Sequence, residues 1–236
     1  MALKNYGIIS NPVAEIEPDQ SQNRPDKRPM RAAKLRTYWH LIKPLPGFKG
    51  ALLRLHLLTG GQRLEQLVNL ETANITDDAI LLHDGKGRPG RPPRPHTLPL
   101  VKEAKKVLTE CKPTGEFAPS SDGGQTHVAA TSLSHWAVEA TGVHLQDFQA
   151  KRLRSGVETL LASAGVSMEI RGRLESHGIA GVQARHYDGH DYVAEKRRAF
   201  ETLWRLLEQR TPVVKAAPMA TRSSSQMSSL ECQVDP

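Results

Sequence analysis

The stretch Lys151-Arg-Leu-Arg154 begins the most informative part of this sequence. It begins a run in which apolar residues recur at helical spacing, which predicts a helix over 152–163. Because Lys151 and Arg154 are three residues apart, they share one face of that helix. His177 follows, and Tyr187 lies ten residues after it. Two basic side chains, an imidazole and a phenol therefore follow one another along this part of the sequence.

Two further basic residues precede this stretch. Arg63 follows the Gly-rich break Thr59-Gly-Gly-Gln and starts a predicted helix over 62–70. A guanidinium at that place can bind a phosphate together with backbone N–H groups at the helix N-terminus, although an arginine taken alone more often satisfies surface carboxylates. Lys86 lies at the tip of a long Gly/Pro/Arg loop between two predicted strands. Such a basic finger suits a DNA groove, and the alternative is a solvated loop.

The chemistry that these residue types can perform together is cleavage of a phosphodiester without a metal. A phenol is a poor nucleophile at its ordinary pKa of ~10. Arginines around the phosphate stabilise both the phenolate and the transition state. A lysine beside other cations can act as a general acid. Taken singly, His177 also fits a helix C-terminal cap, and Tyr192 is a second candidate nucleophile that helix packing explains better.

Composition favours a polyanionic partner. The chain has 236 residues and a formal net charge of +7. Residues 1–30 and 211–236 each carry as many acidic as basic side chains, so the whole excess lies in 31–210. A basic surface kept for solubility is the alternative explanation. The two cysteines lie far apart, which argues against a disulfide framework or a zinc cluster, and no run approaches ~18 apolar residues. We expect a soluble cytoplasmic protein without a cofactor or a metal.

The composition and the apolar periodicity of the sequence divide the chain into three parts. Residues 1–29 are predicted to be a linker or arm, 30–210 a folded domain, and 211–236 a disordered tail. The expected fold class is mainly α with a small three-stranded antiparallel sheet (α+β). The strands are predicted at 74–76, 79–83 and 95–100. Helices are predicted at 30–41, 47–58, 62–70, 101–110, 131–140, 152–163, 167–176, 179–186 and 191–209.

Over about residues 30–210, this combination resembles the catalytic domain of the tyrosine recombinases, the phage-integrase family. The stretch from Ser176 to Tyr192 is similar to prophage and genomic-island integrases in particular. The resemblance implies DNA cleavage and rejoining through a 3′-phosphotyrosyl intermediate, at double-stranded attachment sites, by a protein that is a monomer in solution and a tetramer on synapsed DNA. The implied catalytic residues are Arg63, Lys86, Lys151, Arg154, His177 and Tyr187. The implied DNA-binding residues are Arg88, Arg91, Arg94, Arg152 and Arg185.

The sequence departs from the family pattern at three places. Lys151 stands where many members have histidine. Gln66 stands three residues after Arg63, where an acidic residue is usual, and Gly60-Gly61-Gln62 adds one residue before that arginine. The family also has an N-terminal domain that clamps the other face of DNA. Since only the stretch from Tyr6 resembles the end of that domain, we expect this chain to be a catalytic fragment.

Two other functions fit part of the pattern. A type IB topoisomerase shares the chemistry but relaxes supercoils without a partner site. A non-catalytic regulator would use Val157–Gly178 as a helix-turn-helix, which leaves Arg63, Lys86 and Tyr187 unexplained. The last predicted helix carries the apolar stripe Phe200, Leu203, Trp204 and Leu207. We expect this stripe to dock on a partner protomer, and the alternative is that it packs on its own domain.

Overall fold

The computed structural model describes residues 28–86, 90, 92–176 and 190–209. Five of the predicted site residues lie outside these ranges, namely Arg88, Arg91, His177, Arg185 and Tyr187. The predicted helix over 179–186 and most of the two predicted terminal segments lie outside them as well.

The described residues form eight α-helices and two strands. The helices are α1 (Ala32–Ile42), α2 (Gly47–Leu58), α3 (Leu64–Val68), α4 (Lys102–Glu110), α5 (Ala130–Thr141), α6 (Lys151–Ser163), α7 (Met168–Leu174) and α8 (Val193–Glu208). The strands are β1 (Ala79–Asp84) and β2 (Arg94–Pro99), and short 3-10 turns occupy Thr72–Asn74 and Gly142–His144. No helix in these ranges has the length and apolar character that spanning a membrane requires.

Helix α2 is the centre of the core. Every residue from Gly50 to Leu58 is buried, which matches the near-continuous apolar run of its sequence. Helices α1, α4, α5 and α8 all pack on it. Pro46 precedes α2, and the helix ends at Leu58 with Thr59 as its C-cap, because Gly60 and Gly61 both take positive φ angles. The end of α2 and the two glycines after it therefore position Gln62 and Arg63.

The sheet has two strands rather than the predicted three. β1 and β2 pair antiparallel from Ala79↔Pro99 to Asp84↔Arg94. The segment predicted as a third strand contributes one isolated bridge, between Ile75 and Ile80. The 3-10 turn Thr72–Asn74 occupies the residues before Ile75, so the extended segment is too short to form a ladder.

Helix α8 packs against its own domain, so the expectation that its apolar stripe docks on a partner is wrong. Phe200, Leu203 and Leu207 are fully buried, and Trp204 is half-buried at the edge of the same core. The helix contacts α1, α2, α6, α7 and β2. Lys196 Nζ also donates to the Thr97 carbonyl of β2 at 2.9 Å. The spacing correctly predicted a buried face, and the covering surface is intramolecular.

Candidate active site

A cleft of about 800 Å³ brings four of the six predicted catalytic residues together. Arg63 comes from the turn after α2, Lys86 from the hairpin after β1, and Lys151 and Arg154 from the first turn of α6. These three segments are far apart in sequence. The other two predicted catalytic residues lie outside the described part of the chain.

Arg63 is held by a carboxylate that the sequence reasoning missed. Its Nη1 donates to Asp84 Oδ2 at 2.9 Å, and about a quarter of the arginine side chain remains exposed. Asp84 is buried at the end of β1. Burial by itself raises the pKa of Asp84, but hydrogen bonds from Ser176 Oγ and from the Lys86 N–H, with the charge of Arg63, outweigh it and lower that pKa below its ordinary value.

The Gly60-Gly61 turn lies directly on the first turn of α6. Gly61 has a φ of +66°, and a Cβ there would lie 3.0 Å from the Arg154 backbone nitrogen. Gln62 is buried beside it and joins three segments. Its Nε2 donates to the Thr59 and Leu174 carbonyls at 2.8 and 2.9 Å, and its Oε1 accepts from Arg154 Nη1 at 3.2 Å. The glycine geometry of this turn and the contacts of Gln62 thus bring the two arginines to one cleft.

Arg154 forms a largely buried ion pair with Glu175. Its Nε lies 3.4 Å from Glu175 Oε2, and its Nη2 donates to the Glu175 backbone carbonyl. Burial lowers the pKa of Arg154 and raises the pKa of Glu175, and in each case the charge of the partner opposes the shift. For both groups the loss of solvation outweighs the mutual attraction, as is usual for buried ion pairs. Glu175 therefore places negative charge directly beside the second arginine of the cleft.

Two buried histidines hold the segments that carry the site. His56 Nε2 donates to the Gln62 carbonyl at 2.8 Å, and His96 Nε2 donates to the Leu174 carbonyl at 3.0 Å, since a carbonyl can only accept. Burial lowers the pKa of each to about 4. Both imidazoles are therefore neutral at pH 7, and they fix the turn before Arg63 and the end of α7.

The remaining predicted residues occupy different places. Lys86 and Lys151 are exposed at the rim of the cleft, and the Lys86 N–H donates to Asp84 Oδ1 at 3.1 Å. Arg94 Nη1 donates to the Ser176 carbonyl at 3.2 Å, so it braces the residue before His177. Arg152 does not line this cleft. It lines a separate groove of about 270 Å³ that also contains Arg28, Arg31 and Lys34.

Tyr192 contacts two polar neighbours. The guanidinium carbon of Arg173 lies 3.5 Å from the centroid of its ring, and the His190 ring meets it edge-on at 4.5 Å. Its backbone is left-handed, with a φ of +57°, at the residue that precedes α8. The expectation that packing accounts for Tyr192 is thus refined to a cation–π contact. Within the described ranges, no cluster of three or more His, Cys, Asp or Glu side chains is arranged to hold a metal ion.

Comparison with solved structures shows the fold. The chain is similar to an integrase from mycobacterium phage Brujita, with a TM-score of 0.56 and 22% identity over 91% of this chain and 70% of that one. It is also similar to a lambda integrase tetramer bound to a Holliday junction, with a TM-score of 0.55 and 19% identity over 80% of this chain and 56% of the other. This is the tyrosine recombinase fold. The prediction that this chain is mainly helical with a small antiparallel sheet is confirmed, apart from the number of strands.

The chain covers only part of the length of the proteins whose fold it shares. The chain spans 61%, 56% and 47% of the length of three lambda integrase chains that it matches. No protein-family model matches the sequence, and no curated protein sequence matches it either. The likeness to these integrases is therefore a likeness of fold.

Proposed function

We propose that this chain is the catalytic domain of a site-specific DNA recombinase that cleaves and rejoins DNA through a 3′-phosphotyrosyl intermediate. The observation that carries the proposal is the cleft itself. It gathers Arg63, Lys86, Lys151 and Arg154 from three separate segments around a space large enough for a phosphodiester. A surface that only needed positive charge for solubility has no reason to concentrate it in a concave site.

The two arginines stabilise the charge on the nonbridging oxygens of the phosphate. Each side chain is fixed before DNA arrives, Arg63 by Asp84 and Arg154 by Gln62 and Glu175. Pre-positioned donors avoid reorganisation at the moment of reaction, and removing one such donor typically costs ~10²–10³ in rate. The buried partners keep the guanidinium groups in place.

Tyr187 is the nucleophile of the proposed reaction. Its phenolic oxygen gives up its proton with the assistance of Lys151 or His177 and forms a bond to phosphorus, while the bond from phosphorus to the 5′-oxygen breaks. Lys86 donates a proton to that leaving oxygen, which becomes a free 5′-hydroxyl. Lys151 and His177 assist proton transfer and contact the phosphate. The energy of the broken bond is kept in the protein–DNA link, so the reverse attack by a 5′-hydroxyl rejoins a strand without ATP.

Further basic residues extend the proposed DNA contact. We assign Arg88, Arg91, Arg94, Arg152 and Arg185 to DNA binding. The sequence isoelectric point near 9.5 suits a polyanionic partner. The partners are double-stranded attachment sites, on which four protomers assemble while the free protein is a monomer.

The test uses nicked duplexes with a randomised centre as the probe. The full chain is incubated with this pool, adducts that survive SDS are isolated, and the recovered DNA defines a selected duplex with a mapped cleavage position. The proposal predicts covalent adducts and, with an unnicked selected duplex and a partner strand, strand exchange. Relaxation of supercoiled plasmid without strand exchange favours a type IB topoisomerase. The absence of any covalent adduct overturns the proposal and favours a non-catalytic DNA-binding protein.

A further inference from the structure

Asp84 stands where the pattern of its strand calls for an apolar side chain. In β1, Ile80 and Leu82 face the core, and Asp84 continues that inward register. Its side chain is only about 6% exposed. Burying a carboxylate costs several kcal/mol unless donors replace water, so its presence on this face requires an explanation.

Three segments of the candidate site meet at this carboxylate. Oδ2 accepts from Arg63 Nη1 at 2.9 Å and from Ser176 Oγ at 2.8 Å, while Oδ1 accepts from the Lys86 N–H at 3.1 Å. Arg63 belongs to the turn after α2, Lys86 to the hairpin, and Ser176 to the end of α7. Both carboxylate oxygens are therefore used, each by a segment that carries or adjoins a residue of the proposed reaction.

In the family that this sequence resembles, an acidic residue usually stands three positions after the arginine that corresponds to Arg63. Gln66, three residues after Arg63, is a neutral amide that is 7% exposed, and its side-chain atoms hydrogen-bond to none of the described residues. An amide cannot balance the charge of a guanidinium. Asp84 supplies the missing negative charge from a different element, across 21 residues of sequence.

We propose that Asp84 is a positioning residue for strand cleavage, which holds Arg63, the Lys86 hairpin and the end of α7 in register around one phosphate. The inference rests on the recombinase function proposed above. Asp84 does not touch DNA, and it acts through the guanidinium that does. Since Arg63 matters only where the phosphate is charged, the effect of Asp84 depends on the charge of the substrate.

The test compares two substrates on one protein preparation. The selected duplex carries at its cleavage position either the ordinary phosphodiester or a methylphosphonate, in which a methyl group replaces one nonbridging oxygen and removes the charge. Asp84→Asn keeps the size of the side chain and removes its charge. We expect it to slow adduct formation on the phosphodiester by about tenfold or more, and on the methylphosphonate by much less. Because both rates come from one preparation, a reduced folded fraction cancels in their ratio.

Two controls make the outcome decisive. Asp78→Asn removes a carboxylate that pairs with Lys105 and Arg197 outside the cleft, and it should leave both rates unchanged. In an Arg63→Ala background, Asp84→Asn should cost much less than in the parent, because its main route of action, through Arg63, is already lost. If Asp84→Asn does not fold, Ser176→Ala removes one donor, keeps the charge, and should show a smaller loss with the same substrate dependence.

An equal loss on both substrates, or no loss in a protein whose parent forms adducts, overturns the positioning role. The same holds if the Arg63→Ala and Asp84→Asn losses simply multiply. A parent protein that forms no adduct at all overturns the proposed function instead, so the two failures are distinguished.

Discussion

Acid should destabilise this protein through two buried histidines. His56 and His96 have pKa values lowered from 6.5 to about 4, chiefly because burial disfavours the charged imidazolium. In the unfolded chain both return to the ordinary value. As pH falls below 6.5, the two histidines therefore bind protons in the unfolded state but remain neutral in the folded state. The free energy of unfolding decreases through the window from pH 6.5 to about 4, and it is fully retained above that window.

The size of the effect follows from the shift. Between pH 7 and pH 5, one histidine with these two pKa values costs about 2 kcal/mol of stability, and the pair costs about 4 kcal/mol. That is a large part of the ~5–15 kcal/mol typical of a domain. Glu175 works in the opposite direction, because burial raises its pKa and the folded state then holds a proton more readily than the unfolded state as pH falls. Comparison of variants with the parent separates the contributions.

Urea unfolding at pH 7 and pH 5, followed by tryptophan fluorescence, measures the effect. His56→Gln and His96→Gln each keep an Nε2 donor at a similar reach and remove the titrating group. Each should reduce the stability difference between the two pH values by about 2 kcal/mol, whatever its absolute stability. His144→Gln, at an exposed position, is the control and should leave the difference as in the parent. If both buried-site variants retain the full difference, the two imidazoles are not buried neutral groups and the reasoning is refuted.

Three other predictions concern the cleft. Lys86→Ala should slow cleavage of the selected duplex by ~10²-fold or more. A bridging 5′-phosphorothiolate, whose leaving group needs no proton, should restore much of that rate, and equal defects on both substrates would mean that Lys86 only binds. Gly61→Ala should lower the cleavage rate and the thermal midpoint together, because its Cβ would lie 3.0 Å from the Arg154 nitrogen at a φ of +66°. Gly172→Ala, with no atom within 4 Å of its Cβ, is the matched control, and a harmless Gly61→Ala would contradict the close approach. DNA binding should be weak, and its log K should fall with log salt by ~0.9 for each phosphate neutralised, so tight binding that is nearly independent of salt would contradict phosphate-dominated contact.

The sequence could predict the elements whose signals are local. Helix α2 coincides with its predicted range, 47–58, because an apolar run lies between a proline and two glycines. Helix α6 begins one residue from its prediction because its apolar face repeats strictly. The third strand failed since the 3-10 turn before Ile75 depends on contacts distant in sequence, such as the Thr72 N–H that donates to the Glu116 carbonyl at 2.8 Å.

The sequence indicated the basic residues of the candidate site but not the side chains that hold them in place. Arg63, Lys86, Lys151 and Arg154, which the resemblance to the recombinase family singled out, lie together in one cleft. Their partners lie far away in sequence, with Asp84 and Ser176 separated by 92 residues, and no local pattern pairs them. One signal was present, because Asp84 falls on the inward register of a strand whose other inward residues are apolar. The α8 stripe shows the same limit, since periodicity predicts a buried face without predicting what covers it.

Attack of Tyr187 on the phosphate is the step on which the proposed function depends. Two variants of the full chain, Tyr187→Phe and Tyr192→Phe, should be compared with the parent on the nicked selected duplex. The SDS-resistant adduct is then digested, and the nucleotide-linked peptide is located by mass spectrometry. We expect a 3′-phosphonucleotide on Tyr187, no adduct from Tyr187→Phe despite nearly unchanged DNA binding, and an adduct from Tyr192→Phe. An adduct that persists in Tyr187→Phe and disappears in Tyr192→Phe would contradict it.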